Sequence, residues 1–191
     1  ESPLLGLIAH ASGIASAAWR MRAAAGDRTV LSFGTRRQHP ALGAMIERSA
    51  LIGGVDGIGH VAGGELIGVE AGGTMPHALA IVLGSSEAAW QGFDETLSPE
   101  IPRVLLCDTF CYEADQSARA AEVLGDRLDG VRLDTTASGR GDMRAIVEDV
   151  RWALDQRGAE DVEIVVSGGI DTAAILRLRD VVDSFGVGSA I

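Results

Sequence analysis

The 191-residue chain is 47% hydrophobic, enough to bury one sizeable core, and it holds no run of about 18 uncharged apolar residues such as a membrane-spanning helix requires. All 16 basic residues are arginine, set against 27 acidic residues for a net charge of −11. So acidic a surface repels nucleic-acid phosphates, which argues against a DNA or RNA partner. Acid richness without lysine fits a salt-rich cytoplasm, where repulsion is screened over a few ångströms; high genomic GC content produces the same Lys-to-Arg bias. The only cysteines, Cys107 and Cys111, lie four apart with no second pair, and read as reduced cytoplasmic thiols.

In chain order, Ser2-Pro3 reads as a capped helix start, residues 4–25 as an Ala-rich helix, and Gly26 as its stop. Residues 29–33 read as a strand and 40–52 as a helix entered at Pro40 and closed by Gly53-Gly54. Short apolar pieces over 57–61 and 66–69 are read as strands, and 76–83 and 85–90 as helices. Regular alternation follows: strand 104–107, helix 113–124, strand 131–133, helix 142–156, strand 162–166, helix 172–183 and a strand from 185 to 187. Successive strand–helix units imply a parallel sheet with right-handed crossovers. With no single phosphate-loop fingerprint among them, an α/β barrel is favoured over an open Rossmann sheet. The chain opens without an initiator Met and stops where a strand has passed into a glycine turn, so an internal fragment is expected: a helical lead-in over 1–28 from a preceding domain, then the barrel domain over 29–191, cut short at its end.

In parallel α/β folds, function gathers where strands end and helices begin. Those junctions hold Arg36, Arg37 and His39; Asp56 and His60; Thr74 and His77; Asp108-Thr109; Arg132 and Asp134; Ser167-Gly168-Gly169; and Gly186 and Gly188. Two guanidiniums at a strand end suit carboxylate or phosphate oxygens, and Phe33 beside them offers a flat apolar surface. The pair therefore fits an aromatic acid, a phosphorylated sugar, or both, unless the arginines merely pair with surface acids. Asp108 and Asp134 are each followed by Thr, which goes beyond what a helix cap alone needs; they could bind sugar hydroxyls or hold Mg²⁺ on a pyrophosphate. Glycines in Ser167-Gly168-Gly169 and Gly186-Val187-Gly188 let backbone N–H groups approach a phosphate, and the helix N-terminus that follows adds its dipole. His77 could transfer protons or accept a phosphoryl group.

Six motifs in this order carry a resemblance over essentially the whole chain: Phe33-Gly34-Thr35-Arg36-Arg37-Gln38-His39-Pro40, Gly72-Gly73-Thr74-Met75-Pro76-His77, Cys107-Asp108-Thr109-Phe110, Val131-Arg132-Leu133-Asp134-Thr135, Ser167-Gly168-Gly169-Ile170 and Phe185-Gly186-Val187-Gly188. Together they resemble nicotinate phosphoribosyltransferase in its archaeal form. The resemblance implies the type II phosphoribosyltransferase fold, an irregular parallel α/β barrel present here as a fragment. It also implies an oligomeric cytoplasmic enzyme of NAD biosynthesis that joins nicotinate to phosphoribosyl pyrophosphate, with Mg²⁺ and ATP as co-substrate. By the same resemblance, Phe33 stacks on the pyridine ring and Arg36 meets the nicotinate carboxylate or the product phosphate, with Arg37, His39 and Thr74 among the substrate contacts. Asp108, Arg132 and Asp134 surround the ribose and the pyrophosphate with its Mg²⁺. Ser167, Gly168, Gly169, Gly186 and Gly188 cradle the 5′-phosphate, and His77 is the histidine phosphorylated from ATP. The chain departs from many relatives where they carry lysine, having His60, Val61, Ala62, Gly63 and Gly64 there.

Quinolinate phosphoribosyltransferase shares the fold and product, but its dicarboxylate substrate calls for a denser basic pocket that includes lysine. Nicotinamide phosphoribosyltransferase, with an amide in place of the carboxylate, is a second alternative. A non-catalytic phosphosugar or nucleotide sensor is a third.

Overall fold

A computed structural model describes residues 1–110, 112–135 and 141–191. Cys111 and the segment 136–140 lie outside the described residues. The elements in chain order are α1 (Ser2–Ala25), β1 (Thr29–Ser32), 3₁₀ turns at Gly34–Arg37 and Pro40–Leu42, α2 (Gly43–Ile52), β2 (Gly57–Ile58), α3 (Val61–Ile67), α4 (His77–Leu83) and α5 (Ser86–Thr96). They continue with β3 (Val104–Leu106), α6 (Glu113–Leu124), a 3₁₀ turn at Gly125–Arg127, β4 (Gly130–Leu133), α7 (Met143–Asp155), β5 (Glu163–Val166), α8 (Thr172–Leu178) and β6 (Ser184–Val187). No helix among the described residues is long and apolar enough to cross a membrane. The chain divides into two compact units, the first comprising 1–73, 168–180 and 184–191, the second 74–167 and 181–183.

In the first unit β1 is central. It pairs in parallel with β2, Ser32 opposite Ile58, and with β6, Val30 opposite Phe185 and Leu31 opposite Gly186. Val30, Ile58, Phe185 and Val187 from the strands, Ala18 and Met21 from α1, and Ile46 and Ala50 from α2 are buried. The end of α2 crosses α1 closely: a Cβ on Gly53 would lie 2.4 Å from the Ala15 carbonyl oxygen. Asp56, expected at a strand end, instead stands just ahead of β2; it accepts a hydrogen bond from the Val30 N–H at 2.8 Å and pairs with Arg22 at 3.5 Å, so it pins the start of β1.

Three local expectations are corrected here. Glu1, not Ser2, is the N-cap position of α1, and no side chain caps it. Residues 40–52 form a 3₁₀ turn followed by α2, with Pro40 at the start of the turn. Residues 66–69, read as strand, are instead the last two residues of α3 and the turn at Gly68 that ends it. That helix forms because His60 Nδ1 accepts the Gly63 N–H at 2.8 Å, capping its start. Gly63 and Gly64 also let it approach its surroundings: a Cβ on Gly64 would sit 2.4 Å from the Val69 carbonyl oxygen.

In the second unit β4 is central, parallel to β3 with Leu106 opposite Arg132, and to β5 with Leu133 opposite Val166. Leu105, Leu106, Val131, Leu133, Ile164 and Val166 are buried, with Val147, Val150 and Leu154 from the apolar stripe of α7. Trp90 of α5 is fully buried and donates its indole N–H to the Leu106 carbonyl at 3.0 Å. Arg103, just ahead of β3, donates to Asp94 Oδ1 (2.9 Å) and to the carbonyls of Ser98, Ile101, Asp94 and Leu97 at 2.5–3.1 Å. It thereby ties the end of α5 to the start of the sheet.

Candidate active site

The polar groups of each unit collect past the C-terminal ends of its strands. In the first unit the chain leaves β1 at Phe33, whose N–H donates to the Val187 carbonyl at 2.7 Å, and enters the 3₁₀ turn Gly34–Arg37. That turn folds the Arg36 guanidinium back over the Phe33 ring, 5.6 Å from its centroid. Arg36 and Arg37 are exposed, and neither has a carboxylate partner among the described residues. The pairing with surface acids that would have made this an ordinary loop is absent there. The result is a flat half-buried ring with one cation held over it, able to receive a planar group bearing one negative charge. His39 is spent differently: its Nδ1 accepts the Ala41 N–H at 3.2 Å and caps the following turn.

Gly168 and Gly169, between β5 and α8, have φ of +85° and +80°, a left-handed conformation that favours glycine. The N-terminus of α8 is occupied by its own cap, Asp171, which accepts the Ala174 N–H at 2.7 Å. An anion at this loop would be met by the glycine backbone, not by the helix end. Gly186 is not in a turn: it is buried inside β6, paired with Leu31, because the strand runs on to Val187. Only Gly188 lies past that strand, its α-carbon close to the Phe33 carbonyl; a Cβ there would be 3.7 Å from that oxygen.

In the second unit five predicted residues converge. Asp108, 8% exposed, follows β3; His77 opens α4 after Pro76; and His77 Nε2 lies 3.1 Å from Asp108 Oδ1. With Asp108 ionised, Nε2 carries the proton in this contact, which leaves Nδ1 as the ring's acceptor. Asp108 Oδ2 accepts the Asp134 N–H at 2.7 Å, and the Thr135 hydroxyl lies 3.1 Å from it. Asp108 is therefore no helix cap: α6 begins only at Glu113, with Tyr112 at its N-cap position. The carboxylate's oxygens are engaged by protein groups, so Asp108 orients the ring and the β4 exit.

Asp134 follows β4. Its Oδ1 accepts the Ser167 hydroxyl at 2.5 Å and lies 3.4 Å from Arg132 Nη1. Its Oδ2 lies 4.0 Å from His77 Nδ1. Arg132, 3% exposed, donates to Ser167 Oγ at 3.0 Å and to the Met75 carbonyl at 2.7 Å. Ser167 thus takes a proton contact from the arginine while giving its own to Asp134, and a single chain of hydrogen bonds crosses the ends of β4 and β5. Thr74, next to Met75, is half-buried.

One member of this network, Glu113, was not anticipated. Thr135 lies 2.7 Å from Glu113 Oε1, and Glu113 is 3% exposed. An acid at a helix start reads as a favourable dipole partner, and nothing in the sequence separates that role from a buried one. Cys107, the last residue before Asp108, is fully buried, and burial pushes its thiol above the usual range, which disfavours the thiolate. Among the described residues no three acidic, His or Cys groups gather as a metal cluster. Asp134 Oδ2 is the carboxylate oxygen of this group that could meet a divalent cation.

The family model for the quinolinate phosphoribosyl transferase C-terminal domain matches residues 14–191. The nicotinate phosphoribosyltransferase of Bacillus subtilis (strain 168) is 31% identical over 197 residues, covering 100% of this chain and 39% of its own. A crystal structure of nicotinate-nucleotide pyrophosphorylase from Pyrococcus furiosus superposes with a TM-score of 0.92 at 52% identity, covering 95% of this chain and 46% of that one. The crystal structure of human nicotinic acid phosphoribosyltransferase superposes with a TM-score of 0.73 at 27% identity, over 98% of this chain and 49% of that one. The chain spans less than half the length of each of these relatives. The expected fold, the parallel α/β barrel domain of this group, is borne out.

Proposed function

The chain belongs to the type II phosphoribosyltransferase family of NAD biosynthesis, and from that premise we propose that the full-length protein is a nicotinate phosphoribosyltransferase. It joins nicotinate to phosphoribosyl pyrophosphate, giving nicotinate mononucleotide and pyrophosphate, with ATP hydrolysed alongside. The observation that carries the choice of base is the Arg36 guanidinium held over the Phe33 ring without a carboxylate partner. One planar ring and one carboxylate match that pair. Nicotinamide would leave the cation without a counter-charge, and quinolinate would bring a second carboxylate.

Transfer passes through a ribosyl oxocarbenium with departing pyrophosphate. It calls for positioned anions near the ribose and cations near the leaving group, more than for a strong base. Asp134 supplies the anion, its charge oriented by Ser167 and Arg132. Gly168, Gly169 and Gly188 offer backbone to the 5′-phosphate. His77, with its Nε2 proton committed to Asp108, leaves Nδ1, 4.0 Å from Asp134 Oδ2, as the nucleophile that takes the γ-phosphoryl group of ATP as ADP departs. Phosphoribosyl transfer to nicotinate, nicotinamide and quinolinate, measured on the full-length protein with and without ATP, tests the reading. Nicotinate is expected to react fastest and with ATP stimulation. Quinolinate turnover with release of CO₂ and none with nicotinate would overturn it.

A further inference from the structure

Glu47 lies in the middle of α2, where an acid would ordinarily face water, yet it is 0% exposed. Neither carboxylate oxygen has a hydrogen bond of good geometry among the described residues. Leaving a buried polar group in that state is costly, and the position of the carboxyl shows what it faces. The groups acting on it are the Ser32 hydroxyl, the Gly59 backbone N–H and the His60 imidazole. Ser32 and Ile58 form the last ladder pair between β1 and β2. One residue further on the strands part, into Phe33 on one side and Gly59 on the other.

The carboxyl of Glu47 therefore sits at the fork, and the fork holds the aromatic platform. A Cβ on Gly59 would lie 3.3 Å from Phe33 Cδ1 and 3.2 Å from the Ser32 carbonyl oxygen, so the ring rests against the Gly59 backbone. Ser32 Oγ lies 3.5 Å from the Gly34 N–H, at the start of the 3₁₀ turn that carries Arg36. The His60 ring packs on Gly43 at the start of α2, where a Cβ would lie 2.4 Å from it.

We propose that Glu47 is a positioning residue for the Phe33–Arg36 platform: its buried side chain closes the fork between β1 and β2, and through Ser32 and Gly59 it sets where the ring and the guanidinium stand. The proposal rests on the reading that this platform receives the pyridine base. The fork presents one N–H and one hydroxyl. A carboxylic acid or a carboxamide can answer both, and a hydrocarbon can answer neither. The position of the ring then depends on a group that never touches substrate.

Steady-state kinetics of the full-length protein test this with Glu47→Leu and Glu47→Gln, varying base and phosphoribosyl pyrophosphate separately. Glu47→Leu is expected to raise KM for nicotinate at least about fivefold with KM for phosphoribosyl pyrophosphate within about twofold, and Glu47→Gln to restore the wild-type values. Equal rises in both KM values in Glu47→Leu, no rise at all, or a Gln variant as impaired as Leu would overturn it. Should Glu47→Leu fail to fold, Ser32→Ala decides instead: an unchanged nicotinate KM overturns the proposal, and a selective rise supports it. If the wild type transfers to another base and not to nicotinate, the functional reading fails, and the same comparison on the accepted base decides the role of Glu47.

Discussion

His77 Nε2 and Asp108 Oδ1 stand 3.1 Å apart, and the same carboxylate accepts the Asp134 N–H through its other oxygen. One acid thus fixes both the tautomer of the histidine and the exit of the neighbouring strand. If His77 Nδ1 takes the phosphoryl group, labelled ATP should leave an acid-labile phosphate on the protein. His77→Ala should abolish ATP stimulation while some ATP-independent synthesis persists. Asp108→Asn should lower the rate of labelling at least about tenfold, since a charge-assisted orienting contact is worth about 1.5–3 kcal/mol. Equal ATP stimulation in wild type and His77→Ala would refute the role.

Arg36→Ala should reduce kcat/KM for nicotinate at least about tenfold, because a charge-assisted contact to the substrate carboxylate is worth about 1.5–3 kcal/mol. The melting temperature should hardly move, as the arginine is exposed and has no carboxylate partner among the described residues. Near-normal kinetics in this variant would remove Arg36 from the site.

Asp134→Asn keeps an oxygen to accept the Ser167 hydroxyl but loses the charge. The fold should survive, with the transfer rate down at least about tenfold, or about 1.4 kcal/mol in the barrier. Thermal melting and rate per folded molecule separate the outcomes. A large drop in melting temperature with an unchanged rate would make Asp134 a structural residue only.

Arg103→Lys tests why this lysine-free chain places a guanidinium ahead of β3. Arg103 meets one carboxylate and four carbonyls. An ammonium has three donors, so at least two buried acceptors lose their partner, at a cost of about 2–4 kcal/mol. Chemical denaturation should show it, and added salt should not repair it, since the loss is of hydrogen-bond geometry more than of charge.

Burial raises the Glu47 carboxyl above its ordinary range, partly offset by the Ser32 hydroxyl, the Gly59 N–H and His60. A carboxyl raised in the folded state contributes stability below its unfolded pKa and loses it as pH rises through the folded one. Wild-type stability should therefore fall relative to Glu47→Gln as pH climbs from about 4 toward neutrality. Parallel pH–stability curves for the two proteins would count against a raised carboxyl.

The second unit was the more legible in the sequence. Helix 113–124 is where its charge pattern and Gly125 place it, and the Asp108, Arg132, Asp134 and Ser167 junctions do converge. Their signals are local, each a short polar motif just past an apolar run. The first unit was harder. α3 contains Gly63 and Gly64, whose helix propensity is poor; close packing on the His60 ring and the Val69 carbonyl leaves no room for a side chain at either position, and the His60 cap starts the helix. Gly186 falls inside the strand expected over 185–187 and is also expected among the phosphate-cradling glycines; it pairs with Leu31 within β6, which leaves only Gly188 past the strand. Glu47 gave no sign at all: mid-helix acids are ordinarily solvated, and burial is decided by the strands it packs beneath.

The burial of Trp90 against the Leu106 carbonyl gives this protein an internal optical reporter. The other two tryptophans, Trp19 and Trp152, are 64% and 67% exposed. A water-soluble collisional quencher such as iodide reaches those two and spares the third. The emission that survives, shifted to the blue by its dry surroundings, comes from one indole two residues in sequence from Asp108 through its bonded carbonyl. It follows the end of β3 through ligand titration or unfolding without any added dye.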